Sequence, residues 1–326
     1  METPSLLGNA PSFLEVLDRV SLLAPLNRPI LVIGERGTGK ELIAARLHYL
    51  SERWDSHYLS LNCASLNPNL IESELFGHQA GAFTGASQQR IGRFEQADKG
   101  TLFLDELANM PMEVQEKLLR TIEYNQIERL GSNKTLDVDV RLVCATNQDL
   151  PRLVELGAFR ADLLDRLSFA VITLPPLRHR KQDINLLAEH FSKKIAQELN
   201  FINTPRLSQA VKAQLEAYPW PGNIRELKNV VERAVIENSN ENGLISKLNF
   251  DPFDSPWRPV TAADSTEKVS HREGDFNQQV ADFEKQLICE SLEKNRYKQT
   301  QTAEALGISY HQLRGLIKKH RINTHR

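Results

Sequence analysis

The sequence of 326 residues lacks the features that would place it in a membrane or outside the cell. It has no apolar run of about 18 residues, the length that a membrane-spanning helix needs. Its first residues show no basic region followed by an apolar stretch, so no signal peptide is predicted. Only three cysteines occur, Cys63, Cys144 and Cys289, and their spacing fits neither a disulfide framework nor a metal site. With 40% hydrophobic residues, the chain is predicted to be a soluble, cytoplasmic protein of two or three domains.

A glycine-rich segment, residues 34–41, lies between two ordered patterns. The apolar run at residues 30–33 predicts a buried strand, and residues 42–47 predict a helix. A strand, a glycine-rich turn and a helix form the context of a phosphate-binding loop, in which backbone N–H groups surround the phosphates. Lys40 would reach the β- and γ-phosphates. The candidate nucleotide-binding residues are Gly34, Glu35, Arg36, Gly37, Thr38, Gly39, Lys40 and Glu41. The alternative, a chance glycine-rich turn, is disfavoured by the flanking patterns. We call this segment the phosphate loop.

Two acids, Asp105 and Glu106, end a second apolar run that begins at residue 101. Asp105 is placed to hold Mg²⁺, and Glu106 is placed to orient and deprotonate the attacking water. Adjacent acids after a strand are more often the start of a solvated loop, but the phosphate loop upstream favours an ATPase site. Glu41 stands where serine or threonine usually offers Mg²⁺ a hydroxyl group, so the metal must rely more on Asp105, water and phosphate oxygens.

Between these two motifs lies a segment, residues 81–86, in which one aromatic side chain stands among small residues. Its residues are Gly81, Ala82, Phe83, Thr84, Gly85 and Ala86. Glycine allows backbone angles that other residues avoid, and the segment suits neither a strand nor a helix. It therefore predicts a mobile loop, the aromatic loop, that presents Phe83. An ordinary turn with a buried phenylalanine is the alternative.

The C-terminal part of the chain changes character at residue 251. Residues 251–275 combine clustered prolines with polar residues and predict a linker. From residue 276, apolar residues again recur at helical spacing. This pattern is typical of a helix that packs in a core or forms a dimer face, and both interpretations remain open. Ala303, Gly307 and Leu313 then follow the spacing of a helix-turn-helix, whose second helix, at about residues 309–319, would enter the major groove of DNA.

The charge distribution supports DNA binding by this part of the chain. Residues 294–326 carry eight lysines and arginines against the single acid Glu304, a net charge of +7, so the remaining residues carry −9 of the total of −2. A basic patch confined to one small domain indicates contact with DNA, whereas a solvated basic tail is the alternative. Residues early on the second helix would contact bases, and later ones would contact phosphates. The candidate DNA-binding residues are Tyr310, His311, Arg314, Lys318 and Lys319.

With these motifs together, the sequence resembles the sigma-54-dependent bacterial transcription activators, the enhancer-binding subfamily of AAA+ ATPases, over nearly the whole chain. The aromatic loop between two nucleotide motifs is close to diagnostic for that subfamily. The resemblance implies an α/β AAA+ P-loop core with a parallel sheet at residues 1–175 and a helical lid at 176–250. A linker at 251–275 and an all-helical, Fis-like helix-turn-helix domain at 276–326 would follow.

The resemblance also implies cofactors and partners. ATP and Mg²⁺ would serve the ATPase, and the subunits would assemble as a homo-oligomeric ring, a hexamer in this family. The helix-turn-helix domain would bind enhancer double-stranded DNA, while the aromatic loop engages sigma-54 RNA polymerase.

Further residue roles are implied by the resemblance. The counterpart of Asn62 contacts the catalytic glutamate, and Thr146 and Asn147 stand where the family senses the γ-phosphate. The counterpart of Arg225 contacts nucleotide from the lid of the same subunit. The segment at residues 128–135 occupies the place of a second mobile loop.

Two arginines are implied to act between subunits. The counterparts of Arg160 and Arg166 reach the neighbouring subunit's ATP site as arginine fingers, which neutralise charge in the transition state. Surface salt bridges to Asp162 or Asp165 are the alternative for both.

Regulation is expected to come from outside the chain. The region before the phosphate loop holds one amphipathic helix, at about residues 12–23, and leaves no room for a sensory domain. The resemblance extends to family members that control phage shock, a membrane-stress response, and implies a separate negative regulator similar to phage shock protein A. Trp54, beside charged residues at a helix end, is the candidate contact for that regulator, with packing in the core as the alternative.

Two rival functions share some of these motifs. An AAA+ DNA motor or loader that does not act on sigma-54 would keep the nucleotide motifs and the DNA domain but has no use for the aromatic loop. A non-enzymatic repressor would need a degraded ATPase site, whereas Lys40, Asp105, Glu106 and Phe83 are all present. The sequence therefore predicts an ATPase that remodels the closed complex of sigma-54 RNA polymerase into the open complex.

Overall fold

A computed structural model of the single chain describes residues 6–83, 86–201, 205–238, 243–255, 257–258, 276–295, 297–320 and 322, with the backbone alone at residues 69, 276–280, 282, 293 and 294. The chain divides into two compact units, Met1–Pro252 and Phe253–Arg326, and each contains its own hydrophobic core. Within the described ranges, no helix has both the length and the apolarity that crossing a membrane requires.

Helices and strands alternate along much of the first unit, and the elements described in the second unit are helices. The helices of the described residues are α1 (Pro11–Leu23), α2 (Lys40–Tyr49), α3 (Pro68–Phe76), α4 (Arg93–Gln96), α5 (Met112–Tyr124), α6 (Leu150–Glu155), α7 (Ala161–Leu167), α8 (Gln182–Glu198), α9 (Gln209–Ala217), α10 (Asn223–Glu237), α11 (Phe276–Lys294), α12 (Gln299–Ala305) and α13 (Tyr310–Lys319). The strands are β1 (Ile30–Ile33), β2 (Tyr58–Asn62), β3 (Gly77–His78), β4 (Arg90–Ile91), β5 (Thr101–Asp105), β6 (Gln126–Glu128), β7 (Thr135–Asp137), β8 (Arg141–Thr146), β9 (Ala170–Thr173), β10 (Arg206–Leu207) and β11 (Leu244–Ile245). In the described part of the chain, two short 3-10 helices lie at Leu107–Asn109 and Leu177–His179.

A parallel sheet forms the centre of the first unit. In the described residues it has five strands in the order β2-β5-β8-β1-β9. Successive side chains of a strand point to opposite faces, and both faces are covered. Ile30 and Val32 pack in the core that includes α1 and α2, whereas Leu31 packs in the core that includes α3, α5 and α7. The predicted parallel α/β core is therefore confirmed.

The parallel sheet brings the carboxyl ends of its strands to one edge. Because all its strands run in the same direction, the carboxyl ends of β1, β2, β5 and β8 meet there. β1 leads into the phosphate loop, and β5 ends at Asp105. In open parallel sheets, ligands bind at this edge, where the strand order reverses.

The lid follows β9 in the chain and is mainly helical, with the short parallel strands β10 and β11 paired beside the helices. Helices α8, α9 and α10 pack around a core that includes the fully buried Trp220, whose indole N–H donates to the carbonyl oxygen of Leu215. Helix α10 begins after Gly222, directly beside the phosphate loop.

The second unit contains α11, α12 and α13 around a small core of Ile288, Leu292, Ala303 and Leu313. The apolar residues of α11 divide between two roles: Ile288 and Leu292 are buried, while Phe283 and Leu287 are exposed. Most of the predicted linker lies outside the described residues. Residues 251–255 and 257–258, which are described, contain no helix or strand.

Candidate functional site

The phosphate loop is closed by contacts with neighbouring segments. The N–H of Gly34 donates to the carbonyl oxygen of Thr146 at 3.2 Å, which ties the loop to the end of β8. Gly37 has a φ of +76°, and a Cβ atom at this position would lie 2.3 Å from the carbonyl oxygen of Gly222. Both the backbone angle and the space therefore require glycine at residue 37.

Lys40 lies at the first position of α2, and its ammonium group turns back into the phosphate loop. The side chain is buried, and Nζ donates to the carbonyl oxygens of Gly34 at 3.0 Å and Glu35 at 3.3 Å. Burial lowers the pKa of Lys40, while Asp105 and Glu106 act in the opposite direction. The ammonium group thus interacts electrostatically with both acids predicted for the ATPase site.

The two acids adopt different conformations. The carboxylate of Asp105 accepts a hydrogen bond from the N–H of Glu106 at 2.9 Å. Glu106 has φ 51° and ψ 43°, the left-handed region that non-glycine residues seldom adopt. Strained backbone of this kind is concentrated at functional sites.

Asn147 links the second acid to the phosphate loop. With its amide oriented by its partners, Nδ2 donates to Glu106 Oε2 at 2.8 Å, and Oδ1 accepts from Arg36 Nε at 3.2 Å. The chain of contacts from Glu106 through Asn147 to Arg36 orients the carboxylate that would receive a proton from water.

Two other polar residues at this sheet edge accept hydrogen bonds from residues close to them in the chain. Asn62 ends β2 in register with Asp105, and its Oδ1 accepts from the N–H of Ala64 at 2.9 Å. Thr146 is fully buried, and its hydroxyl accepts from the N–H of Gln148 at 3.0 Å. The roles implied for Asn62 and Thr146 stay predictions.

The two candidate finger arginines make ion pairs within the chain. Arg160 donates to Asp162 through two nitrogens, at 3.1 and 2.7 Å, which matches the alternative of a surface salt bridge. Arg166 instead pairs with Glu123 of α5, at 3.0 Å. Their side chains are 32% and 59% exposed, so both remain accessible to a neighbouring subunit.

Arg225 lies on α10 against the phosphate loop. Its Cβ is 3.0 Å from the place that a Cβ on Gly37 would occupy, and its charge adds to the lowering of the pKa of Lys40. The predicted contact with nucleotide from the same subunit fits this position.

Sequence reasoning missed several lid residues that contact the phosphate loop. Arg178, Arg180 and Asn223 all donate hydrogen bonds to residues 35–38 of the loop. Asn223 lies close in the chain to Arg225, which was predicted to contact nucleotide, so the sequence indicated its place beside the phosphate loop only weakly. No local pattern pairs Arg178 with Glu35, because the two are 143 positions apart.

The aromatic loop is held at its base and presents Phe83. The N–H of Gly81 donates to the carbonyl oxygen of Ala86 at 2.7 Å, and Gly81 has a φ of +81°. Phe83 is 39% exposed, and its ring lies 5.0 Å from that of His78 in an edge-to-face arrangement. The alternative of a buried phenylalanine is therefore wrong. Thr84 and Gly85 lie outside the described residues.

The predicted second loop joins β6 to β7 and lies beside the aromatic loop. The N–H of Gln79 donates to the carbonyl oxygen of Leu130 at 2.9 Å, and a Cβ on Gly131 would lie 2.9 Å from Cβ of Ala82. The two loops are therefore in direct contact.

The second unit has the geometry of a helix-turn-helix. Ser309 caps α13 in a capping box with Gln312, and Leu313 anchors the helix in the core. Tyr310, His311, Arg314 and Lys318 are exposed. Lys319 is also exposed, but it donates to Glu284 of α11 at 2.9 Å, so contact with a DNA phosphate would have to compete with this ion pair.

Trp54 lies just beyond α2 and is 62% exposed. Packing in the core is therefore excluded, and a contact with a partner protein stays a prediction.

A magnesium ion would fit this site only with help from the nucleotide. No group of three or more histidine, cysteine, aspartate or glutamate side chains in the described part of the chain could hold a metal. A single carboxylate, Asp105, beside the phosphate loop matches the way proteins hold Mg²⁺ through one or two carboxylates and substrate phosphates.

Three known protein families match successive parts of the chain. Residues 6–173 match the Sigma-54 interaction domain, 178–252 match the AAA+ ATPase lid domain, and 279–320 match the bacterial regulatory protein, Fis family. The chain belongs to the sigma-54-dependent transcription activators.

Individual relatives support this assignment. The Psp operon transcriptional activator of Escherichia coli (strain K12) is 54% identical over 319 residues, which cover 98% of each chain. The regulatory protein AtoC of the same organism is 42% identical over 93% of this chain and 65% of its own. Among solved structures, NtrX from Brucella abortus in complex with ATP matches with a TM-score of 0.71 and 31% identity, covering 98% of this chain and 70% of that one.

Membership of the family assigns the main activities. As a sigma-54 activator, the chain is an ATPase that binds nucleotide, acts on sigma-54 and carries a helix-turn-helix domain for DNA. A non-enzymatic repressor and an AAA+ motor that does not act on sigma-54 are thereby disfavoured.

Proposed function

We propose that this sigma-54 activator opens promoters of a phage shock operon. The observation that carries this proposal is the similarity to the Psp operon transcriptional activator, which extends over 98% of both chains. The helix-turn-helix domain would hold the protein at enhancer DNA upstream of the promoter, and the protein would work in the cytoplasm, where that DNA lies.

The chemistry follows from the residues of the phosphate loop and the adjacent acids. When ATP binds, the ammonium group of Lys40 exchanges the carbonyl oxygens of Gly34 and Glu35 for phosphate oxygens. Glu106, held by Asn147, accepts a proton from the attacking water. Asp105 would hold Mg²⁺, which neutralises charge on the phosphates.

The activator would act as a homo-oligomeric ring, a hexamer by family resemblance. Arg160 and Arg166 would leave their partners in the same chain and enter the neighbouring subunit's site. Hydrolysis there would change the position of the aromatic loop, and Phe83 would transmit that movement to sigma-54.

Control would come from a separate negative regulator similar to phage shock protein A. The exposed indole ring of Trp54 offers the kind of aromatic anchor that protein interfaces favour.

The test is open-complex formation in vitro. The purified protein is mixed with sigma-54 RNA polymerase and a promoter of a phage shock operon, with ATP or with a non-hydrolysable analogue. We expect strand opening with ATP alone and none with Glu106→Gln. A second sigma-54 promoter that carries an unrelated enhancer is the control for target specificity.

Two results would contradict the proposal. ATP hydrolysis without opening at any sigma-54 promoter would favour the DNA motor. Equal opening at both promoters, at protein concentrations where only enhancer-bound protein should act, would contradict the assignment to the phage shock operon.

A further inference from the structure

The lid contacts the phosphate loop through the backbone carbonyl groups of the loop. Asn223 Nδ2 donates to the carbonyl oxygen of Arg36 at 3.0 Å, and the N–H of Ile224 donates to that of Gly37 at 3.0 Å. Arg180 Nη2 donates to the carbonyl oxygen of Thr38 at 3.1 Å. Three consecutive carbonyl groups of the loop are thus bound by the lid.

The side chain of Glu35 is bound by the lid as well. Arg178 donates to the two carboxylate oxygens at 2.8 and 2.6 Å, and Asn223 Nδ2 adds a contact at 3.1 Å. A bidentate pair of this kind fixes direction as well as distance. These contacts stabilise the charged form of Glu35 and lower its pKa to about 2.

Asn223 occupies the centre of these contacts. It is fully buried, and its Oδ1 accepts from the N–H of Leu177, so it joins the start of α10 to the segment that carries Arg178. Its φ of +54° is uncommon for a non-glycine residue, and the surrounding contacts must maintain it.

These contacts determine where the loop's N–H groups point. In a trans peptide, the N–H of one residue points away from the carbonyl oxygen of the residue before it. Since the lid binds the carbonyl oxygens of Arg36 and Thr38, the N–H groups of Gly37 and Gly39 point away from these lid atoms. N–H groups so directed are those that a phosphate-binding loop offers to its ligand.

We propose that Glu35, Arg178 and Asn223 form a clasp through which the position of the lid sets the affinity of the phosphate loop for ATP. They are positioning residues, because they act through the loop backbone. The inference rests on the ATPase activity of the family. Since ATP turnover is measured without polymerase or promoter, the test is independent of the proposed promoter.

The first test replaces Arg178 by Gln and measures steady-state ATP hydrolysis together with the Kd of a fluorescent ATP analogue. We expect KM and Kd to rise about two- to fivefold, the range for losing a half-exposed ion pair, with kcat unchanged. Arg178→Lys, which keeps the charge but only one contact, should lie between the wild type and Arg178→Gln.

A second comparison tests whether the clasp acts as a unit. Glu35→Gln should weaken ATP binding to a similar extent, and the double variant with Arg178→Gln should be no weaker than either single variant. Lys212→Gln is the matched control, since Lys212 pairs with Glu189 inside the lid at 2.7 Å with similar exposure. This control should leave KM unchanged.

Two results would overturn the proposal. Additive effects in the double variant would show that Glu35 and Arg178 act separately. A fall in kcat at unchanged KM and Kd, with the same fall in the Lys212→Gln control, would indicate a general loss of lid stability. Thermal melts of each variant establish that the compared proteins are folded.

Discussion

Phe83 can be separated from the ATPase site at the scale of a single residue. Its described ring contact is with His78, and no contact in the described part of the chain links it to Lys40 or Glu106. We expect Phe83→Ala to leave ATP turnover largely intact and to abolish binding of sigma-54, measured in the presence of a transition-state analogue of ATP. Ile91→Ala, an exposed apolar residue outside the loop, is the control. A large loss of turnover would mean that Phe83 has a structural role.

Trp54 is predicted to affect regulation alone. Because its side chain is exposed, Trp54→Ala removes a surface contact and leaves the core intact. We expect the variant to keep its ATPase activity and to escape inhibition by a purified regulator similar to phage shock protein A. If the variant is inhibited as strongly as the wild type, Trp54 does not contact the regulator.

Arg314 is predicted to read a base, since it lies exposed on the first turns of α13. Arg314→Ala should weaken binding to the specific site by about 1–3 kcal/mol and relax specificity at one position. The measurement is a titration against the operator and single-base variants of it. An equal loss of affinity for all sequences would identify Arg314 as a phosphate contact. Lys318→Ala, further along the helix, is expected to show such an equal loss and serves as the comparison.

At the scale of elements, the contacts between the phosphate loop and the lid make a contribution to stability that depends on pH. The pKa of Glu35 is lowered from 4.5 to about 2 by Arg178 and then by Asn223. A lowered folded-state pKa contributes stability above the unfolded value, and this contribution is lost as the pH falls from 4.5 toward 2.

We therefore expect the difference in Tm between the wild type and Glu35→Gln to be constant between about pH 8 and 5 and to shrink at lower pH. Thermal melts by circular dichroism across this range measure it. A difference that grows on acidification would contradict the assigned ion pair, since it would require a raised pKa.

At the scale of the whole molecule, the arginine fingers predict that ATP sites are shared between subunits. A subunit with Arg160→Ala keeps its own Glu106, whereas a subunit with Glu106→Gln keeps its own Arg160. Each variant alone should be inactive, but a mixture should recover part of the ATPase activity, because some sites combine both intact residues.

The same mixture with Arg166→Ala shows whether that arginine also acts on the neighbouring site. Activity is measured after dilution and reassembly of the mixed subunits. No recovery with Arg160→Ala, in a mixture that still forms oligomers, would mean that Arg160 acts only within its own chain, as its ion pair with Asp162 does in the structure.

Local patterns were sufficient for several elements. The strand at residues 30–33 and the strand that ends at Asp105 follow from apolar runs that stop at polar residues, and both are found there. The second helix of the helix-turn-helix, predicted at about residues 309–319, is found as α13, with Ser309 as its cap. These features depend on neighbours within a few residues, which the sequence displays directly.

Contacts between distant segments could not be predicted in this way. The hydrogen bond between Asn147 and Glu106 forms because the ends of β8 and β5 meet at the same sheet edge. Asn62, which ends β2 at that edge, accepts through its Oδ1 from the N–H of Ala64. Which of two nearby polar side chains reaches a carboxylate depends on distances that no spacing along the chain encodes.

The sequence by itself determined the phosphate loop, the paired acids, the aromatic loop and the helix-turn-helix, since each needs particular residue types at short spacing. The tertiary structure alone decided that Arg178 and Asn223 bind Glu35, and that Arg166 pairs with Glu123. The physical reason is that an ion pair forms wherever packing brings opposite charges together. Packing is a property of the whole folded unit, so partners far apart in the chain are identified only after it has folded.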